Sequence, residues 1–342
     1  MLTPPDVSAE TIIACLREHF GLDIRQVTFL PIGADASAAV YRVEGEDGTS
    51  YFLKLKWGDF DEVGVTVPAF LHAQGIREVM AALPTMSQRL WASTHGFTWI
   101  LYPYMEGRDG YEVALSDAQW VELGRSLKAV HATVLPLELS RLVPREDYPP
   151  RWRDIVMAFD QAAESHVYDD PLAARLAAFW LTKRDDIRAM VARAEQLGWA
   201  LGQRADAFVL CHADLHPGNV LLGAHDELAI VDWDNPLFAL KERDLMCLDG
   251  GVCDVWNDPR EDALFYEGYG PTELDPIALS YYRYERIVAD LAAYGEQIFG
   301  AQGSVEDREV GLRRVMGQFL PNEVVAVAHW TYQQIPWAPD AL

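Results

Sequence analysis

Val209-Leu-Cys-His-Ala-Asp-Leu-His-Pro-Gly-Asn219, followed thirteen residues after Asn219 by the Asp232 of Ile230-Val-Asp-Trp-Asp234, decides how the chain is read. Residues 208–211, 220–222 and 228–231 are short apolar, partly β-branched runs. Gly223-Ala-His-Asp-Glu227 is turn-rich, so 219–232 reads as a β-hairpin. If Leu222 pairs with Leu228, Asn219 falls opposite Val231. Asn219 and Asp232 are then neighbours at the open end of the hairpin. Pro217 and Gly218 make the segment carrying Asp214 a loop, and that loop enters the hairpin. The expectation is that Asp214, Asn219 and Asp232 converge on one place.

Such a set suits phosphoryl transfer. Magnesium takes hard oxygen ligands, and Asn219 and Asp232 supply them; a carboxylate that orients an attacking hydroxyl and accepts its proton is also needed, and Asp214 supplies that. Taken singly, His212, Asp214 or Asn219 could do no more than brace a polar loop through side chain to backbone hydrogen bonds. The joint spacing favours the chemistry. His212 and His216 read as loop-stabilising groups, since magnesium prefers oxygen.

The remaining sequence bounds this reading. A chain of 342 residues, 50% hydrophobic and 23% charged, can bury a large core and is long enough for two lobes. No apolar run reaches about eighteen residues and the N-terminus lacks an apolar h-region, so neither a membrane span nor a signal peptide is expected. Four cysteines without a Cys-x-x-Cys pair point to a reduced cytoplasmic setting rather than zinc or disulfides. The net charge of −24 disfavours nucleic acid and anionic membranes and favours a cationic small molecule. No protein partner is expected.

Residues 8–20 carry apolar positions at helical spacing and end at Gly21. Strands are expected at 27–32, 40–44 and 51–56 as an antiparallel meander. Its first turn, Gly33-Ala-Asp-Ala-Ser-Ala-Ala39, is small enough to fold over nucleotide phosphates with Ser37 as a donor. A plain hairpin loop is the alternative. Neither Gly-x-Gly-x-x-Gly at this turn nor a P-loop anywhere in the chain supports another nucleotide fold. Lys54 and Lys56 share one face of the third strand, where a lysine beside the phosphate loop can neutralise phosphates; Lys56 reads as a surface charge. A helix is expected from about 61 to 74. Residues 97–105 form a strand running into Glu106-Gly-Arg-Asp-Gly110, where Pro103 ends ladder pairing and a lobe boundary falls. Ser116 with Gln119 reads as a capping box. Further helices are expected at 151–165, 171–198, 275–299, 305–319 and 323–332.

His212-x-Asp214-x-His-Pro-Gly-Asn219 together with Ile230-x-Asp232-x-Asp234 resembles the signature of the aminoglycoside phosphotransferase and choline kinase family, relatives of the protein kinases. Residues 32–41, 51–56, 241–246, 267–270 and 280–288 look similar to the spectinomycin phosphotransferase branch. The resemblance implies an α+β, bilobal protein-kinase-like fold, with an N-terminal nucleotide-binding lobe at 1–101, a hinge linker at 102–107, and a helical C-terminal lobe at 108–342 holding the catalytic loop and acceptor site. It implies ATP and Mg2+ as cofactors, and an ATP-dependent phosphotransferase acting on an alcohol group of an aminoglycoside or aminocyclitol antibiotic such as spectinomycin, giving resistance. It assigns Lys54 to the phosphates, pairs that lysine with a glutamate on the next helix, here Glu62, and puts adenine on the backbone of the linker at Tyr102 to Tyr104. Asp244 would brace the catalytic loop, with Asp234 in support. A kinase for choline, homoserine, methylthioribose or a sugar is the alternative, and a catalytically silent binding module a further one.

Overall fold

A computed structural model describes residues 4–33, 37–204 and 207–336. In chain order the elements are α1 (Ala9–Phe20), β1 (Ile24–Leu30), β2 (Ala38–Gly45), β3 (Ser50–Lys56), α2 (Val63–Ala73), β4 (Ala92–Thr94), β5 (Phe97–Pro103), β6 (Arg108–Asp109), α3 (Asp117–Ala132) and α4 (Leu137–Leu142). They continue with α5 (Arg151–Ser165), α6 (Pro171–Thr182), α7 (Arg184–Gly202), β7 (Val209–Cys211), β8 (Val220–Leu222), β9 (Leu228–Ile230) and β10 (Leu237–Ala239). Five helices close the chain: α8 (Glu242–Leu245), α9 (Pro259–Tyr269), α10 (Pro276–Phe299), α11 (Val305–Gly317) and α12 (Val324–Gln333). Packing gathers them into two compact units, 1–143 with 218–236, and 144–217 with 237–342.

The first unit is built on a five-stranded sheet of order β1-β2-β3-β5-β4, every neighbouring pair antiparallel. The two-residue period of a strand divides its side chains between two cores. Leu53, Leu55, Trp99 and Leu101 pack with Ile12 and Leu16 of α1. Ile100 packs with Val65 of α2, and Tyr102, Phe60 and Trp91 lie against them. Lys54, between Leu53 and Leu55, alternates away from the α1 core. Helix ends follow their caps: the Ser8 hydroxyl accepts the Thr11 N–H at 3.2 Å, and Gly21, at φ 70°, takes the left-handed turn that closes α1. The Ser116 and Gln119 capping box is formed in both directions.

A second, three-stranded sheet of order β6-β8-β9 completes this unit. β9 also pairs with the segment after α2: Val79 bridges Ile230, and the Met80 N–H donates to the Ile230 carbonyl at 3.0 Å. Gly107 has no room for a side chain, because a Cβ there would sit 2.4 Å from the Leu222 carbonyl oxygen.

The second unit is mainly helical, with one two-stranded sheet of β7 and β10. Its longest helix, α10, packs against α5, α7, α11 and α12. The single helix expected over 171–198 is two. Lys183 at φ −108° and ψ 9° breaks it, and the fully buried Asp160 of α5 collects Arg184 and Arg188 at the start of α7. Among the described residues no helix is long and apolar enough to cross a membrane.

Candidate active site

The hairpin has the expected register. Leu222 pairs with Leu228 and Val220 with Ile230, and the Val231 N–H donates to the Asn219 carbonyl at 3.0 Å. Asn219 therefore lies opposite Val231, beside Asp232. Directly after the strand the chain bends at Asp232, whose φ of 62° is uncommon for a residue with a side chain. Two contacts hold this bend. Trp233 is buried and its Nε1 donates to the Ile230 carbonyl at 3.1 Å; Gly64 of α2 lies so close that a Cβ would stand 3.2 Å from the Asp234 Cα and the Trp233 oxygen.

The bend brings two carboxylates to β3. The Lys54 Nζ donates to Asp232 Oδ1 at 2.9 Å and to Asp234 Oδ1 at 2.8 Å, and Lys56 reaches Asp234 Oδ2 at 2.7 Å. Both lysines reach Asp234, as the strand period requires for one shared face. Burial disfavours the Lys54 charge, yet Asp232 and Asp234 outweigh it and hold the ammonium above its ordinary range. Burial likewise works against the Asp234 carboxylate, and Lys54 and Lys56 prevail there, keeping it below the usual range.

Two expectations are corrected here. Lys56 is not a surface charge: its side chain is 15% exposed and paired. Lys54 does not pair with Glu62, which is the exposed residue preceding α2; the turn at Asp232 delivers carboxylates to the lysine from the hairpin instead. Glu62 lines a cavity of about 580 Å³ with Phe60, Trp91, Lys56 and Asp234.

The remaining nucleotide candidates are also in this unit. Tyr102 pairs with Phe52 across the sheet, and burial, followed by the opposing effect of Lys54, sets its hydroxyl well above the ordinary range. Tyr104 carries the Arg42 guanidinium 4.6 Å above its ring, and its N–H reaches the Ser50 carbonyl at 3.4 Å. Ser37 accepts the Trp57 N–H on its carbonyl at 3.0 Å; residues 34–36 of the same turn lie outside the described residues.

Asp214 belongs to the second unit. Its loop leaves β7 through Ala213 at φ 75°, a conformation that needs outside support. Asp244, 1% exposed, gives it: one carboxylate oxygen accepts the His212 N–H at 2.8 Å and the other the Ala213 N–H at 2.7 Å. The neighbouring Arg243 donates to the Ala213 carbonyl at 3.0 Å. This is the brace expected of Asp244. His212 is buried, and its Nδ1 accepts the Asp214 N–H at 3.2 Å, the loop-stabilising role read from sequence.

The Asp214 carboxylate itself meets Arg286 of α10, whose Nη1 donates to Oδ1, while His216 Nε2 stands 3.9 Å from Oδ2. Burial works to raise the Asp214 carboxyl, but Arg286, followed by His216, holds it below the usual range. Sequence reasoning gave Arg286 no role. Its only trace was its place in Ser280-Tyr-Tyr-Arg-Tyr-Glu-Arg286, a segment noted for resemblance.

A profile described as the phosphotransferase enzyme family matches residues 28–277. The crystal structure of spectinomycin phosphotransferase APH(9)-Ia in complex with ADP and spectinomycin is 37% identical, covers 96% of this chain and 100% of its own, and superposes with a TM-score of 0.90. The AMP-bound complex of the same enzyme is 36% identical over 94% of this chain and 98% of its own, with a TM-score of 0.85. An amicoumacin kinase bound to AMP-PNP shares the fold at 19% identity and a TM-score of 0.60, covering 93% of this chain and 95% of its own. No curated protein sequence matched.

Proposed function

The chain belongs to the phosphotransferase enzyme family, with its bilobal protein-kinase-like α+β fold, and is an ATP-dependent small-molecule kinase; from that premise we propose that it transfers the γ-phosphate to a hydroxyl of an aminocyclitol antibiotic, spectinomycin first, and so confers resistance. The observation that carries the acceptor is the 37% identity, over 96% of this chain, to a relative crystallised with ADP and spectinomycin. A net charge of −24 agrees with a cationic substrate.

In this reading Lys54 clamps the phosphates. Its two carboxylate partners keep the ammonium charged, and a lysine is a compact point charge on a flexible stem that can exchange a carboxylate for a phosphate oxygen. Asn219 and the Asp232 carboxylate offer hard oxygen donors, which fit magnesium. A magnesium ion held by these two residues would neutralise the charge that develops during transfer. The 102–107 segment serves as the hinge, with the backbone at Tyr102 to Tyr104 for adenine, and Ser37 offers a donor to the phosphates.

Asp214 orients the acceptor hydroxyl and takes its proton. A carboxyl held below its usual range is ionised at neutral pH but is a weak base. Proton transfer then comes late, which suits the loose transition state of phosphoryl transfer, where the attacking oxygen changes little in charge. Positioning and charge stabilisation supply most of the rate.

ATP consumption with magnesium, measured across a panel of antibiotics and metabolites, tests the acceptor. A spectinomycin-dependent signal is expected. A signal confined to choline, homoserine, methylthioribose or a sugar would make the chain a metabolite kinase, and none at all would leave a silent binding module.

A further inference from the structure

We propose that Arg286 is a positioning residue for the reaction: it grips Oδ1 of Asp214 and fixes the carboxylate so that Oδ2 is the oxygen presented to the acceptor hydroxyl. The inference rests on the reading of Asp214 as the proton acceptor. Arg286 projects from α10, where Ile287 and Val288 are buried beside it. One turn further along the same helix, Asp290 takes the Arg286 Nε at 3.2 Å, and Gln318 holds the other Asp290 oxygen at 3.3 Å. The guanidinium is thus fixed at one end by its own helix and meets Asp214 at the other. A planar fork tied at two points transmits orientation, which a lysine in the same place would not.

Stability is a small part of what the pair supplies. The Arg286 and Asp214 side chains are 37% and 35% exposed, and ion pairs that water partly screens add modestly to folding. The orientation of the loop backbone is already provided by Asp244. What remains for Arg286 to determine is the rotamer of one carboxylate.

The test compares Arg286→Gln, Arg286→Lys and Asp214→Asn in the full chain, reading kcat, KM for ATP, the pH profile of kcat and the melting temperature. Arg286→Gln is expected to lower kcat by about 100-fold, the scale of a misplaced reacting group, with KM for ATP unchanged. Among the described residues, the groups facing Asp214 include Arg286 and Asp290 of α10, His212 and His216 of its own loop, and Cys247 beyond α8. Losing the cation among them moves the acid limb of kcat to higher pH. Arg286→Lys keeps the charge without the fork and is expected to lose about 10-fold. Adding Arg286→Gln to Asp214→Asn is expected to change nothing further.

Wild-type kcat in Arg286→Lys overturns the proposal, even should Arg286→Gln fail to fold. So does a further loss from Arg286→Gln in the Asp214→Asn background, or a rise in kcat that would make the contact an inhibitory latch. If Asp214→Asn turns over normally, the proton-acceptor reading itself falls. If Asp214→Asn is inactive and Arg286→Gln and Arg286→Lys are not impaired, only the positioning role falls.

Discussion

Asp232 and Asp214 each face a cation, yet the two arrangements are built for opposite ends. In the first unit two lysines meet two carboxylates, with Lys54 shared between Asp232 and Asp234, and Lys56 held by Asp234. The charges balance. In the second unit a single arginine meets both Asp214 and Asp290. A lysine moves its charge from one oxygen to another on a flexible stem, whereas an arginine fixes the plane of the carboxylate it binds. The first arrangement suits a cation that must be handed to an incoming phosphate, and the second a carboxylate that must not turn.

The largest effect that would break this contrast is at Asp214. Asp214→Ala should lower kcat by roughly 1,000-fold, within the range of a lost general base, while calorimetry shows nucleotide binding nearly intact. Substantial residual turnover would remove the base from that residue. Lys54→Met comes next. It should lower kcat about 100-fold, as loss of one charge-stabilising donor does, and unlike the first variant it should also weaken nucleotide affinity. Equal nucleotide affinity in wild type and Lys54→Met would end the idea that this lysine is handed to phosphate.

A third carboxylate in the second unit sharpens the comparison. Glu285, on α10 one residue before Arg286, is 8% exposed in its side chain and stands 3.3 Å from Arg153. Burial raises its carboxyl to about 7, with Arg153 offsetting only part of that. At Asp214 the arginine prevails over burial; at Glu285 burial prevails over the arginine. The folded protein therefore binds this proton more tightly than the unfolded chain does. Its contribution to stability is full below the unfolded carboxyl range and is lost as pH rises through about 7. The melting temperature should rise on mild acidification from above neutrality, and Glu285→Gln should flatten that rise. A wild-type melting temperature that falls over the same interval would show that the Arg153 pair dominates.

Much of this was legible in the sequence because it is local. The hairpin followed from short apolar runs on either side of a turn-rich pentapeptide, and α1 begins and ends at Ser8 and Gly21 and α3 begins at Ser116 because capping is written within four residues. What escaped was carried by pairs far apart in the chain. The break at Lys183 lies in Leu181-Thr-Lys-Arg184, which contains neither glycine nor proline, and the contact beside it, Arg184 on Asp160, joins residues 24 apart in the chain. Arg286 is 72 residues from Asp214. Strand period placed Lys56 on the face of Lys54 but could not say that Asp234 would stand opposite, since that depends on the left-handed turn at Asp232.

Lys56 also gives the smallest and most discriminating measurement. The Lys56 and Asp234 side chains are 15% and 23% exposed and meet at 2.7 Å, so water screens the pair only in part. Removing the ammonium leaves Asp234 with Lys54 as a partner rather than as an orphaned charge, and Lys56→Met should cost about 1 kcal/mol, nearer an accessible pair than a buried one. The deficit in urea midpoint should shrink as salt is added, because the lost attraction is screened. Asp234 then draws on Lys54 alone and holds it more firmly, so that KM for ATP rises modestly while kcat stays near that of the wild type. If Lys56→Met proved as damaging to kcat as Lys54→Met, both lysines would act on the phosphates, and the first unit would be a two-cation clamp rather than one cation steadied by its neighbour.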